Sequence, residues 1–225
     1  MSRILKAYET QFRWLLKQAG ARKLNQGVQW LVDKAEQLRL EQRIPLADAL
    51  TRTHQELAAK CRAQLEQPEP RDMHFFCDAG LGGLARWLRA SGYEAAWEPG
   101  IDDDVLLKEA AGRSATLLTT DSMLMERRLL RERIIPALWL PPTLKMQQQL
   151  ALVFRELGLA VRAPRCMSCG GKLVPVDKES VRERIPPRTY RWLDEYFICG
   201  KCGKLFWQGT HWQRIVGHLG RLGKN

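Results

Sequence analysis

Apolar positions recur at three- and four-residue steps through the first quarter of the chain. Phe12, Leu15, Leu16 and Ala19 form one such series, and Val28, Leu31, Val32, Ala35 and Leu38 form the next. That spacing lays an apolar stripe along a helix. Pro45 opens a further stretch carrying Leu46, Ala49, Leu50 and Leu57. Residues 1–66 are therefore expected to be helical, with Trp14 and Trp30 on or near the stripes and so in the core. Gln67-Pro68-Glu69-Pro70-Arg71 reads as a linker.

Beyond it the period changes. Short apolar runs predict strands at 73–77, 93–97, 116–119 and 134–140. Between and after them, helices are predicted at 81–91 (ended by Gly92), after Asp102-Asp103-Asp104, at 122–133 and at 146–157. Strands that alternate with helices predict an α/β fold, a parallel sheet with helices on both faces. From Pro164 onward the helical pattern fades and glycines and aromatics accumulate. The expected organisation is a helical N-terminal extension over 1–70, an α/β domain over 71–161 and a cysteine-bearing segment over 162–225.

Charge divides along the same lines. The net +11 separates into +4 over 1–70, −1 over 71–161 and +8 over 162–225. A basic tail favours a polyanion such as nucleic acid, although solubility alone would also explain it. No apolar run approaches the length of a membrane span, and the N-terminus has no signal-peptide pattern. The expectation is a cytoplasmic protein without membrane contact.

Two aspartates occupy equivalent places. Asp78 follows the first predicted strand and Asp121 the third, while Asp103 and Asp104 open a helix at another strand-to-helix turn. In a parallel sheet the C-terminal strand ends share one edge, where sites form. Carboxylates gathered there repel one another unless a cation joins them, and Mg²⁺ or Mn²⁺ does so with oxygen ligands. Taken singly, each aspartate reads equally as a helix N-cap.

Six cysteines in an intracellular chain do not point to disulfides. Cys61 and Cys77 stand alone and read as small buried hydrophobes. Cys166, Cys169, Cys199 and Cys202 form two Cys-x-x-Cys pairs, the spacing of a four-thiolate zinc ribbon. Four protein ligands leave no open position, so this zinc would be structural. A redox role would not need two pairs. Around them, Arg182, Arg184, Arg188 and Arg191 alternate with Tyr190 and Trp192, and Lys201, Lys204, Trp207, His211 and Trp212 follow. Cations interleaved with rings suit single-stranded RNA; the same rings would equally serve as the ribbon's own small core.

The run from Phe76 through Asp78-Ala79-Gly80-Leu81-Gly82-Gly83-Leu84-Ala85-Arg86-Trp87-Leu88-Arg89 to Tyr93 resembles the opening of the Mut-seven C-terminal ribonuclease family. Leu118-Thr119-Thr120-Asp121 resembles that family's second acidic motif, with Thr120 where arginine is usual. The two cysteine pairs and Phe206-Trp207-Gln208-Gly209-Thr210-His211-Trp212 resemble its ribbon. The resemblance implies a PIN-like sheet and a metal-dependent RNase. It makes Asp78 and Asp121 metal-binding acids and adds one acid of the Asp102–104 run, Asp104 ahead of Asp103. Arg86, Arg182, Arg184, Arg188, Lys201, Lys204, Trp207 and His211 are the expected RNA contacts. Glu98 and Glu126 are candidates for a fourth acid. A non-catalytic RNA- or ribosome-binding module is the alternative, and the N-terminal helices could take a protein partner.

Overall fold

The computed structural model describes residues 3–63 and 73–209, together with Gly217 and Gly220. Three helices come first: α1 (Arg3–Gln18), α2 (Leu24–Gln42) and α3 (Leu46–Ala63). The sequence pattern shows the break at Pro45 but not the one before α2. There Gly20 takes a left-handed conformation (φ +74°) that ends α1.

The α/β part follows as β1 (His74–Cys77), α4 (Gly82–Ala90), β2 (Glu94–Trp97), α5 (Asp103–Gly112), β3 (Thr116–Thr119), α6 (Arg128–Arg131), β4 (Ala137–Trp139) and α7 (Met146–Glu156). All four strands are parallel, in the order β2-β1-β3-β4. The chain passes from β1 outward to β2, then returns across β1 to lay down β3 and β4. The crossing point therefore lies between β1 and β3, where Cys77 pairs with Leu118. Such a switch point opens a crevice at the C-terminal strand ends.

Side-chain alternation sends successive strand residues to opposite faces. Phe75, Cys77 and Leu118 join α4 and α7 in one apolar cluster, whose members include Leu84, Leu88, Leu150 and Val153. Phe76 and Leu117 join the other, built with Leu106, Leu107 and Ala110 of α5. That second cluster also contains Tyr8, Phe12, Val28, Leu31, Ala35, Ala49 and Leu50, so the three N-terminal helices share one core with the sheet. Tyr8 packs edge-on to Trp139 at 5.3 Å, and its hydroxyl meets Thr51 at 2.6 Å. His54 lies beside the same Trp139, with its pKa lowered to about 3 by burial, and is neutral there.

Two expectations change. Trp30 is 62% exposed rather than in the core: it sits one residue, or 100° of helix, before the buried Leu31. The helix expected over 122–133 is instead a single 3₁₀ turn at Leu124–Glu126 followed by the short α6. Between them Arg127 is extended (ψ 139°), which splits the helix and turns its side chain back toward α5.

The remaining segment forms a separate antiparallel sheet of β5 (Leu173–Val176), β6 (Tyr196–Cys199) and β7 (Leu205–Trp207). The long spacer between the cysteine pairs holds a 3₁₀ turn at Glu179–Arg184 and α8 (Pro187–Trp192). Among the described residues no helix is long and apolar enough to cross a membrane.

Candidate active site and metal centre

Asp78 and Asp121 both lie at the switch point, and one side chain fastens them together. Thr119, fully buried at the end of β3, donates its hydroxyl to Asp78 Oδ2 at 2.6 Å and accepts the Asp121 N–H at 2.9 Å. The other Asp78 oxygen accepts the Ala79 N–H at 2.6 Å. Asp121 Oδ1 accepts the Met123 N–H at 2.7 Å, and this local turn replaces the start of the expected helix. The sequence marks Thr119 only as a member of the Leu118-Thr119-Thr120-Asp121 motif, in which the acid stands out. In a run of strand residues nothing assigns the threonine hydroxyl a part of its own.

The three acids of the Asp102–104 run divide their tasks. Asp102 caps α5, its carboxylate accepting the Asp104 N–H at 2.9 Å. Asp104, with its side chain 75% exposed, is ion-paired to Arg127. Asp103 is exposed and lies in the field of both switch-point acids. Its carboxyl is held above the ordinary carboxylate range by partial burial first, then by the negative charges of Asp121, Asp78 and Asp102, against a smaller opposing pull from Arg127. Asp78, Asp103 and Asp121 thus share one electrostatic neighbourhood. They are not drawn as close as the cysteine sulfurs, which among the described residues are the one group of potential ligands lying within 4.8 Å of one another. Glu98 follows β2, the strand paired with β1, and is exposed; Glu126 is half-buried in the 3₁₀ turn.

The cysteine group brings Cys166 within 3.7 Å of Cys202 and Cys169 within 3.4 Å of Cys199, sulfur to sulfur. A tetrahedral ion with metal–sulfur bonds of about 2.3 Å sets its ligands roughly 3.8 Å apart, so the four sulfurs fit a zinc-sized ion. Gly170 and Gly203 take left-handed turns after each pair, at φ +77° and +67°. Gly171 is required for a different reason: a Cβ there would fall 2.7 Å from the Cys199 sulfur. Burial raises the Cys166 and Cys169 thiols. At Cys199 burial acts the same way but is outweighed by the N–H groups of Cys202 and Lys201 and by neighbouring sulfurs, leaving it below the thiol range. Four sulfurs this close do not all ionise without a cation between them.

The first cysteine turn is tied to the α/β part by Arg89, which is only 6% exposed. Its guanidinium donates to the Ala95 carbonyl on β2 and to the carbonyls of Met167 and Ser168. The Arg165 N–H returns to the Arg89 carbonyl at 2.8 Å.

The residues expected to meet RNA are scattered in their environments. Arg86, Arg182, Arg184, Arg188, Lys201 and Lys204 are exposed. Arg184 donates to the Gly203 carbonyl and Lys204 to Ser168 Oγ, so both also brace the knuckles. Trp207 packs against the ribbon's apolar cluster with Tyr196, Val181 and Ile185, whereas Trp192 is 74% exposed. His211 and Trp212 lie outside the described residues.

A four-stranded parallel sheet flanked by helices, with an appended four-cysteine ribbon, defines an α/β class of protein with a metal-binding appendage. The profile of the Mut7-C RNAse domain matches residues 73–219, and the chain belongs to that family. No curated protein and no solved structure matches it.

Proposed function

We propose that this protein is a metal-dependent ribonuclease in which Asp78, Asp103 and Asp121 hold Mg²⁺ or Mn²⁺ at the switch point. The single observation that carries the reading is geometric: Thr119, at the end of β3, donates to Asp78 Oδ2 and accepts the Asp121 N–H, so the acids that follow β1 and β3 come together at the switch point. Asp103, its pKa raised by burial first and then by Asp121 and Asp78, lies in the field of both. Of the two candidates in the acidic run, Asp103 is preferred because Asp104 is engaged by Arg127. A divalent ion bound there would polarise a phosphodiester and lower the pKa of attacking water. The protein's own part is positional. Thr119 ties the Asp78 carboxylate to the backbone N–H of Asp121, and the turn at Met123 orients the Asp121 carboxylate. Zinc in the four-cysteine site is structural on this reading, and the exposed cations of the ribbon hold the RNA backbone.

The test is cleavage of labelled single-stranded RNA with Mg²⁺ or Mn²⁺. Asp78→Asn and Asp121→Asn should each lower the rate by a factor of 100 or more, with thermal stability unchanged or slightly raised as repulsion is relieved. If the aspartates serve only as caps, asparagine replaces them almost silently. Wild-type protein that binds RNA yet cuts none under either ion would favour the RNA-binding module instead.

A further inference from the structure

Next to the acidic edge the surface opens into a cleft of about 440 Å³ lined by Asp104, Leu107, Lys108, Arg127, Arg128 and Leu129. That volume lies within the roughly 300–1,000 Å³ typical of small-ligand sites. A larger and more open depression at Arg13, Arg22 and Lys23 belongs to α1, α2 and the loop between them and shares no residue with the acids. The cleft by Asp104 differs in position, since the charge of Arg127 reaches Asp103 itself.

Its chemistry is one-sided. Three cations line it, and a single carboxylate, Asp104, faces them. Lys108 has no ion-pair or hydrogen-bond partner among the described residues. Among the described residues Arg128 is held only by Glu132, four residues on, with its side chain 78% exposed. Leu129 and Met123, 36% and 67% exposed, present apolar surface on the same stretch of chain. Cations beside exposed apolar side chains match a nucleotide, which offers a phosphate together with the flat, apolar face of a base.

On the ribonuclease reading just given, we infer that this cleft is a nucleotide subsite: Arg127 and Lys108 grip the phosphate next to the one being cut, and Arg127 leaves Asp104 to do so. The exchange is energetically easy. An ion pair between side chains as exposed as these contributes little, because water screens both charges. The guanidinium fork binds phosphate with two parallel charge-assisted bonds. Asp104, left behind, stays hydrated at the surface. While RNA is absent, the pair keeps Arg127 beside the site and neutralises an acid that would otherwise repel the incoming strand. The broken helix over 122–133 has a use on this account: a continuous helix would not bring Arg127 back to α5.

The experiment is fluorescence anisotropy with a short labelled single-stranded oligoribonucleotide, on the full chain without added Mg²⁺ or Mn²⁺, across a salt series. Arg127→Gln with Lys108→Gln should weaken binding roughly tenfold per contact, and the slope of log affinity against log salt should fall by about 0.7 per cation removed. Asp104→Asn, which frees Arg127, should tighten binding severalfold. A merely structural ion pair would make both Arg127→Gln and Asp104→Asn neutral or weakening. Unchanged affinity and slope in the double variant would overturn the subsite, as would wild-type protein that binds no RNA. Because binding is read without cleavage, the two readings fail separately. A protein that binds through this cleft and cuts nothing upholds the subsite and sinks the nuclease. Wild-type cleavage alongside a double variant that binds normally does the reverse.

Discussion

At the residue scale, the candidate site is organised around a hydroxyl that the sequence marks only as part of the Leu118–Asp121 motif. Thr119 joins the acids of two strands with one oxygen, donating to Asp78 and accepting from Asp121. Valine keeps its shape and strand preference and removes both bonds. Thr119→Val should therefore lower Mn²⁺ affinity and cleavage by about 10- to 100-fold, the usual cost of losing the group that orients a ligand. It should cost only about 1 kcal/mol in urea denaturation. Wild-type activity in this variant would mean that the two carboxylates need no fastening. The same scale shows why the acidic run could be read only in part. Asp78 and Asp121 stand out because one directly follows β1 and the other comes two residues after β3. Asp103 and Asp104 differ by 100° around the first turn of α5, and sequence spacing alone does not fix that rotation. In the structure Arg127 pairs with Asp104, which is why Asp103 is the proposed ligand, and the extended backbone of Arg127 is likewise hidden in a run that reads as uninterrupted helix.

Among the elements, the four parallel strands were each legible within a few residues because buried strands stand out as short apolar runs between helical ones. What the pattern does not carry is strand order, and order is what brings β1 beside β3 and so Asp78 beside Asp121. The ribbon was legible in its ligands and glycines but not in its spacer, where short helical turns lack enough residues to show a period. Its test follows from Gly171. Because a Cβ there meets the Cys199 sulfur at 2.7 Å and Lys201 Cβ at 2.8 Å, Gly171→Ala should displace one ligand. Competition with a chromogenic chelator should show about one zinc ion per chain in the wild type and a zinc affinity at least tenfold lower in the variant, while circular dichroism reports an intact α/β part. Equal zinc retention would show that the knuckle accommodates the methyl or that the metal is held otherwise.

The whole molecule is more continuous than its sequence segments suggest. The linker signal at 67–71 separates two patterns of periodicity, yet Tyr8, Phe12, Leu31 and Leu50 share a core with Phe76, Leu117 and Trp139. The stripes of α1 to α3 predict that an apolar face must be buried; nothing in them names the surface that buries it. With that face of the sheet covered by α5 and the N-terminal helices and the other by α4 and α7, the C-terminal strand edge is where the acids meet. The claim at the centre of this account is that these acids hold one divalent ion. Its most direct measurement is Mn²⁺ titration followed by electron paramagnetic resonance of the free ion, on zinc-loaded protein. The account predicts one Mn²⁺ per chain in the wild type and in Asp104→Asn, with binding lost or weakened at least tenfold in Asp78→Asn, Asp103→Asn and Asp121→Asn. Absence of Mn²⁺ binding by the wild type, or binding that survives Asp103→Asn and disappears with Asp104→Asn, would contradict it.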